Sequence, residues 1–383
     1  MGISCFPDVV SKMDEVKKKI LFYTSSLDRG GMERVFVNLA HYFLSQKFDV
    51  VMVTQYRHEN EYFLEPEIPR VLSDLTSEEL SESRIKNFIG RLKKLRSIFK
   101  QYEPDLVLTC NGKNNMMALA AAGGLKCCVV LSVIADPMME YYTKAMRFIA
   151  RTFFQRADGI VVQTEEVKKF FPERIRKKCK LLPNSLNPEF IMEKYQGDKE
   201  KKIVSVGRLD ANKNQAMLIR AFGQIADKHP EYQVSLYGEG EERNALEALI
   251  RENHLENRVI LEGRVSDVPE RIRKAELFVL TSFTEGMPNA LIEAMALGLT
   301  VVSTDCPSGG PRQLIKNGEN GILIPPGDEQ ALTKALDQLL ADKEYRERLS
   351  QNAYKLQTEL NPEHVNAMWR DYFEELIKRK QGS

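Results

Sequence analysis

The sequence predicts an α/β protein built from two doubly wound parallel sheets in tandem, and three observations carry the prediction. Short apolar runs alternate with segments whose apolar residues recur at helical spacing. The alternation stops after Asn184 and starts again at Lys202. At 383 residues, the chain is long enough for two cores.

Lys19-Ile-Leu-Phe-Tyr-Thr24 reads as the first strand, and Asp28-Arg-Gly-Gly-Met-Glu33 as the loop after it. Met32, Val35, Phe36, Leu39 and Phe43 then mark an amphipathic helix. Further strands are expected at Val50–Thr54, Asp105–Thr109, Cys128–Val133, Gly159–Gln163 and Cys179–Asn184. Residues 185–201 carry Pro188, Gly197 and mixed charges and read as an interdomain connection. The second series comprises Lys202–Val206, Gln233–Tyr237, Val259–Leu261, Leu277–Leu280, Thr300–Ser303 and Gly321–Ile324. Three late helices are expected from about residues 328, 344 and 362. The expected domains are Rossmann-like units over 1–185 and 186–361, with a cleft between them. Residues 1–20 carry Asp14 and Glu15 and lack a secretory apolar core, so they read as a loose extension rather than a signal peptide.

Composition excludes several classes. With 43% hydrophobic and 28% charged residues, the chain resembles an ordinary soluble globular protein. No apolar run approaches the roughly 18–20 residues that span a bilayer. Net charge is +1, unevenly spread: 31 Lys/Arg against 26 Asp/Glu in residues 1–200, and 24 against 28 in the rest. That is too mild for a nucleic-acid protein, but it suggests that the first half meets something anionic. The six cysteines are scattered without any CxxC pair, so neither a disulfide framework nor a metal site is indicated, and a reducing cytoplasm is the expected compartment.

The most informative stretch is Ser282-Phe-Thr-Glu285-Gly-Met-Pro-Asn-Ala-Leu-Ile-Glu293-Ala-Met-Ala-Leu-Gly298. It follows the strand run at Leu277, and Pro288 and Gly298 suit the start and end of a helix. Glu285 would lie in the loop at the strand's C-terminal end, with Glu293 about two turns inside the helix. The amides of Gly286, Met287 and Asn289 would open a helix N-terminus toward an anion.

Glu285 and Glu293, seven residues between them and set after a strand, resemble the donor-site motif of retaining glycosyltransferases of family 4, which have the GT-B fold. Gly30-Gly31, Gly207-Arg208-Leu209 with Lys213, and Cys306-Pro-Ser-Gly-Gly-Pro311 agree in family order. The resemblance covers roughly residues 19–380. It implies a nucleotide diphosphate sugar as donor, probed by the second domain, and a glycan or lipid-linked glycan as acceptor on the first. It also implies that the last helix, with Trp369, Tyr372 and Phe373, crosses back to the first domain. Glu285 would address the donor sugar's hydroxyls and Glu293 the ribose hydroxyls. The leaving phosphate itself would deprotonate the incoming hydroxyl.

Two cations in one loop at a strand's C-terminal edge, Arg208 and Lys213, suit a diphosphate. Adjacent glycines at Gly30-Gly31 let backbone approach an oxygen-rich ligand, although a plain tight turn needs no more. By resemblance, Gly263-Arg264-Val265 is a base-reading loop and Ser308-Gly309-Gly310 a donor-sugar loop; an ordinary turn is the alternative for both. The sequence holds no Asp-X-Asp pair, so metal-independent chemistry is expected, with charge supplied by Arg208, Lys213 and the helix N-terminus. No cofactor is called for, and Gly238-Glu-Gly240-Glu-Glu-Arg243 lacks the third glycine of a dinucleotide site.

One departure from the family stands out. Many members have a histidine after the strand ending near Val133, where this chain reads Ile134-Ala-Asp136-Pro137, and its five histidines lie elsewhere. Asp136 is a candidate for orienting a sugar, or simply a helix N-cap. Ser83–Lys100 carries seven basic and no acidic residues, with Ile85, Phe88, Ile89, Leu92, Leu95 and Phe99 at helical spacing. Its charges suit an anionic membrane surface or a solvated face, and its apolar stripe is expected to pack on the first sheet. Two rival functions share the architecture: a nucleotide-sugar epimerase and a non-catalytic sugar-nucleotide-binding protein.

Overall fold

The computed structural model describes residues 17–382, so the extension expected ahead of the first strand falls outside the described residues up to residue 16. The first sheet contains β1 (Lys19–Thr24), β2 (Asp49–Thr54), β3 (Arg70–Leu72), β4 (Leu106–Cys110), β5 (Cys128–Val133), β6 (Gly159–Val162) and β7 (Cys179–Leu181), in spatial order β3-β2-β1-β4-β5-β6-β7. The second contains β8 (Glu200–Val206), β9 (Gln233–Tyr237), β10 (Val259–Gly263), β11 (Ala275–Leu280), β12 (Thr300–Thr304) and β13 (Ile322–Ile324), in order β10-β9-β8-β11-β12-β13. Every strand pairing in both sheets is parallel.

The apolar runs form strands because both sheet faces are covered by helices. Every residue of β4, β5 and β11 is buried, as expected of parallel strands enclosed on both sides. The strand β3 escaped sequence reading. It is three residues long and half-exposed, it pairs with β2 along that short length, and its Arg70 also meets Glu61.

The strand order reverses between β1 and β4 and again between β8 and β11. Loops leaving neighbouring strands in opposite directions open a crevice at these two switch points, at the C-terminal ends of the strands. The loops concerned are residues 25–30 after β1, 207–214 after β8 and 281–288 after β11.

The last helix, Pro362–Gln381, lies against the first sheet's layers. Phe373 stacks on Phe43 with ring centroids 5.2 Å apart, and Cys128 Sγ donates to the Leu376 carbonyl at 3.4 Å. A side chain at Gly159 would meet the Tyr372 hydroxyl at 2.2 Å, so glycine admits the helix there. Trp369 and Phe373 are buried.

The helix Arg84–Tyr102 departs from expectation. Leu95, Ile98 and Phe99 are buried against the sheet, but Ile85, Phe88 and Ile89 are 72%, 54% and 44% exposed. The apolar stripe is longer than the sheet beneath it, so its first two turns project past the packed layer. The charge is also partly spent: Arg91 pairs with Asp74, Lys94 with Glu79, and Arg96 donates to the carbonyls of Ala121 and Gly123.

Candidate active site

The donor-side half is built by two loops stitched together by Asn212. Its side chain accepts from the Thr284 amide at 3.1 Å and donates to the Thr284 carbonyl at 3.0 Å, while its own carbonyl accepts from the Phe283 amide at 2.8 Å. Thr281 Oγ1 also donates to the Lys213 carbonyl at 2.8 Å. This bracing sets Lys213 Nζ on Glu285 Oε1, an oxygen that also accepts from Ser282 Oγ at 2.6 Å. Lys213 and Glu285 are mostly buried. Arg208 differs: its side chain is 77% exposed and pairs with Asp210 at 3.1 Å. Its charge opposes the burial that pushes the Glu33 carboxyl, on the first domain, above its ordinary range. Gly207 lies beside the Lys213 stem, where an added Cβ would sit 3.4 Å from Lys213 Cε.

The helix after β11 runs Asn289–Ala296, with Pro288 in the capping position ahead of it rather than inside the first turn. It ends at a left-handed Gly298 (φ 71°), a conformation that suits glycine. Glu293 therefore lies one turn into the helix, not two. It is 7% exposed and its Oε1 is held by Arg34 from the first domain's helix Gly31–Ser45. Burial pushes the Glu293 carboxyl above its ordinary range, and Arg34 opposes the shift.

The expected anion site at the start of this helix needs correction. The Met287 amide donates to Gln163 Oε1 at 3.0 Å and so is already satisfied from the first domain. Gly286 packs on the backbone of Ile134, where a Cβ would come within 1.6 Å of the carbonyl oxygen. Glycine is needed here for a domain-to-domain approach. Gly310 in turn packs on the Gly286 carbonyl, and a Cβ would lie 1.4 Å away. Gly309 is left-handed (φ 78°) beside Glu166, and the Ser308 carbonyl accepts from Thr164 Oγ1 at 2.6 Å.

Gly31 likewise meets protein across the cleft, where Asn289 Nδ2 donates to its carbonyl at 3.0 Å, whereas Gly30 lies against Glu33 of its own domain. Asn184 completes the junction, donating to Asn289 Oδ1 at 2.8 Å and to the Met287 carbonyl at 3.2 Å. Arg34, Gln163, Thr164 and Asn184 were not read as site residues from sequence. For Gln163, Thr164 and Asn184 the available signal was polar residues after the apolar runs of β6 and β7; Arg34, inside the helix Gly31–Ser45, had no such signal.

Arg264 is exposed and Val265 half-buried, after a left-handed Gly263 (φ 74°) whose carbonyl accepts from the Gly238 amide at 2.8 Å. They stand away from the Lys213–Glu285 pair in sequence but on the same C-terminal edge of the second sheet. Asp136 caps the short helix Pro137–Glu140, its Oδ1 accepting from the Met138 amide at 2.8 Å. The local capping reading of Asp136 thus describes its observed contact.

The same short helix ends in a carboxyl that sequence reading passed over. Burial pushes Glu140 up to about 8, and its Oε2 has no partner among the described residues. Because the folded pKa lies above the ordinary 4.5, Glu140 contributes stability below about pH 4.5 that is lost as pH rises through about 8. Glu140→Gln is therefore expected to melt higher than the parent by a few degrees at about pH 9, with a smaller gain at about pH 5. Scanning calorimetry giving the same difference at both pH values would show that Glu140 keeps one protonation state throughout.

Known proteins resemble this chain over most of its length. The family described as "Glycosyltransferase Family 4" matches residues 29–190, and "Glycosyl transferases group 1" matches residues 188–356. A curated Campylobacter jejuni protein, GalNAc-alpha-(1->4)-GalNAc-alpha-(1->3)-diNAcBac-PP-undecaprenol alpha-1,4-N-acetyl-D-galactosaminyltransferase, is 30% identical over 364 residues, covering 92% of this chain and 97% of its own. Among solved structures, sucrose-phosphate synthase from Thermosynechococcus elongatus superposes with a TM-score of 0.81 at 19% identity, over 95% of this chain and 100% of the other. Anabaena HepE in complex with UDP gives 0.79 at 20% identity, over 93% and 100%. The two structural matches establish the fold. Together with the near full-length sequence match, they show that this chain is a glycosyltransferase belonging to family 4, with the GT-B fold.

Proposed function

We propose that the enzyme moves a hexose or N-acetylhexosamine from a nucleotide diphosphate sugar, UDP-linked, to a lipid-linked glycan in polysaccharide biosynthesis, with retention at the anomeric carbon and without a metal. The observation that carries the reading is the Lys213–Glu285 pair beside the exposed Arg208 at the β8/β11 switch point. A cation and a carboxylate on adjoining loops suit a diphosphate and its hexose lying side by side. HepE was solved with UDP, and the C. jejuni relative is named for an undecaprenyl diphosphate-linked acceptor.

In this reading Arg208 and Lys213 stabilise the diphosphate as its bond to the anomeric carbon breaks. The departing phosphate oxygen takes the acceptor hydroxyl's proton, and the new glycosidic bond forms on the face the diphosphate leaves. Glu285 orients the sugar's hydroxyls. Glu293 offers Oε2 to the ribose while Arg34 holds Oε1. Arg264 and Val265 border the base, Gly309 and Gly310 the donor sugar, Gly30 and Gly31 the diphosphate, and Asp136 the acceptor side. Arg84, Lys86, Lys93 and Lys100 of the helix Arg84–Tyr102 give the first domain an affinity for an anionic membrane surface. No described helix is long and apolar enough to cross a membrane.

Among the described residues, no group of three or more His, Cys, Asp or Glu is placed to hold a metal ion. With Arg208 and Lys213 supplying the positive charge, transfer should continue after exhaustive EDTA treatment, and proton NMR of the product should show the donor's anomeric configuration. Loss of transfer on chelation, restored by Mn²⁺ or Mg²⁺, would rule out the metal-free mechanism; an inverted product would rule out retention.

A further inference from the structure

The first domain holds a cavity of about 790 Å³ that the donor chemistry does not use. Its walls are Phe88 from the helix Arg84–Tyr102, Met116, Met117 and Ala120 from the helix Gly112–Ala122, and Ile149 and Phe153 from the helix Lys144–Phe153. That volume is within the usual range for a small-molecule site, about 300–1,000 Å³. Its inner end is polar and made of buried groups, Tyr23 and Ser73, together with Gln55. The one carboxylate in the lining, Asp74, is neutralised by Arg91 at 2.5 Å. Lys113 also lines the cavity, is exposed, and has no ion-pair partner among the described residues. The lining as a whole is therefore apolar with one uncompensated positive charge.

The cavity joins two places that matter. Inward, Gln55 Nε2 donates to Asn114 Oδ1 at 2.8 Å, and Asn114 Nδ2 donates to Ser25 Oγ at 3.1 Å. Ser25 belongs to the loop after β1 that carries Gly30 and Gly31 to the cleft. Outward, further apolar side chains are exposed on the same helices: Ile85 and Ile89 near Phe88, and Phe148, 70% exposed, next to Ile149. Lys144, Arg147 and Arg151 flank that outer stretch on their helix. Exposed apolar side chains contiguous with a cavity mark a binding surface rather than ordinary surface variation. A flat bilayer does not enter a concave slot with a polar inner end. A flexible hydrocarbon chain does, and it can run on from the exposed residues into a lipid phase.

We propose that this cavity binds the hydrocarbon chain of a diphosphate-bearing isoprenoid lipid, with Lys113 facing the diphosphate. The inference rests on the lipid-linked acceptor proposed above and assigns where its lipid part is held. The slot confines the chain nearest the diphosphate, and the hydrogen-bonded link from Gln55 to Ser25 sets the head group toward the cleft.

The test uses the full chain and farnesyl diphosphate as probe, with inorganic diphosphate and UDP measured in parallel by calorimetry. Farnesyl diphosphate is expected to bind at least about tenfold more tightly than inorganic diphosphate, the scale of burying two or so methylene groups. Ala120→Trp fills the slot from an exposed helix position, and Phe88→Asp removes an exposed wall. Each should weaken farnesyl diphosphate binding by about tenfold or more and leave UDP affinity at the parent's value. Equal affinity for farnesyl and inorganic diphosphate would overturn the assignment. So would farnesyl diphosphate binding that survives both substitutions; if phosphatidylglycerol vesicles displace that binding, the apolar surface is a bilayer contact instead. A parent that binds farnesyl diphosphate in the slot but not UDP would sustain the slot and refute the donor reading.

Discussion

Replacing Lys213 with alanine is expected to lower turnover by about two to three orders of magnitude, the scale of removing one preorganised oxyanion partner. The negative charge on the diphosphate grows as the bond to the sugar breaks, so a fixed cation helps the transition state more than the bound donor. Lys213 has the fixed placement that the proposed role requires. Its loop is tied to the loop after β11 by Asn212 and Thr281, and its ammonium rests on Glu285. Removing it also leaves the mostly buried Glu285 with Ser282 as its remaining side-chain partner among the described residues, so this carboxylate loses its anchor. Arg208→Ala should act in the same direction, and mainly through the diphosphate, because Arg208 is exposed and its ion pair among the described residues is with Asp210. Steady-state kinetics that show a raised KM with unchanged kcat for both variants would remove these cations from the chemical step.

Arg34→Ala should cost about 3–5 kcal/mol of stability near neutral pH, the usual penalty for stranding one half of a buried ion pair. Glu293 is 7% exposed and Arg34 21%, and the pair joins a helix of the first domain to one of the second. Burial already raises the Glu293 pKa while Arg34 restrains the rise. Without the guanidinium, the carboxyl goes higher still. A group whose folded pKa is raised contributes stability below its unfolded value, and that contribution is lost as pH rises through the folded value. The deficit of Arg34→Ala should therefore shrink on acidification and grow toward alkaline pH. Adding Glu293→Gln should recover much of the loss, because an amide leaves no buried charge behind. Thermal unfolding of the parent, both single variants and the double variant across pH decides the matter. Additive losses with no pH dependence would mean that Arg34 and Glu293 do not act as a pair.

The strands of this fold were legible because parallel strands buried on both faces must be continuously apolar, and stretches such as Cys128–Val133 and Leu277–Leu280 are. The glycines were legible as positions where backbone had to come close to something. What they approach was not: Gly286 meets Ile134 and Gly310 meets Gly286, so the close neighbour is protein where a ligand had been expected. The helix Arg84–Tyr102 shows the same limit, since periodicity defines an apolar face without saying how much of it the sheet is long enough to cover.

By itself, then, the sequence determined two parallel sheets, the order of the loops at their C-terminal edges, and the presence of Arg208, Lys213, Glu285 and Glu293 on those loops and the helix that follows them. These follow from local pattern, because helical and strand periods and turn residues act over a few neighbours. Tertiary structure alone decided that Arg34 would hold Glu293 from 259 residues away, that Gln163 would take the Met287 amide, and that Asn184 would join both domains. A buried polar group needs a partner wherever the fold can supply one, and nothing in the chain near Glu293 or Met287 names that partner.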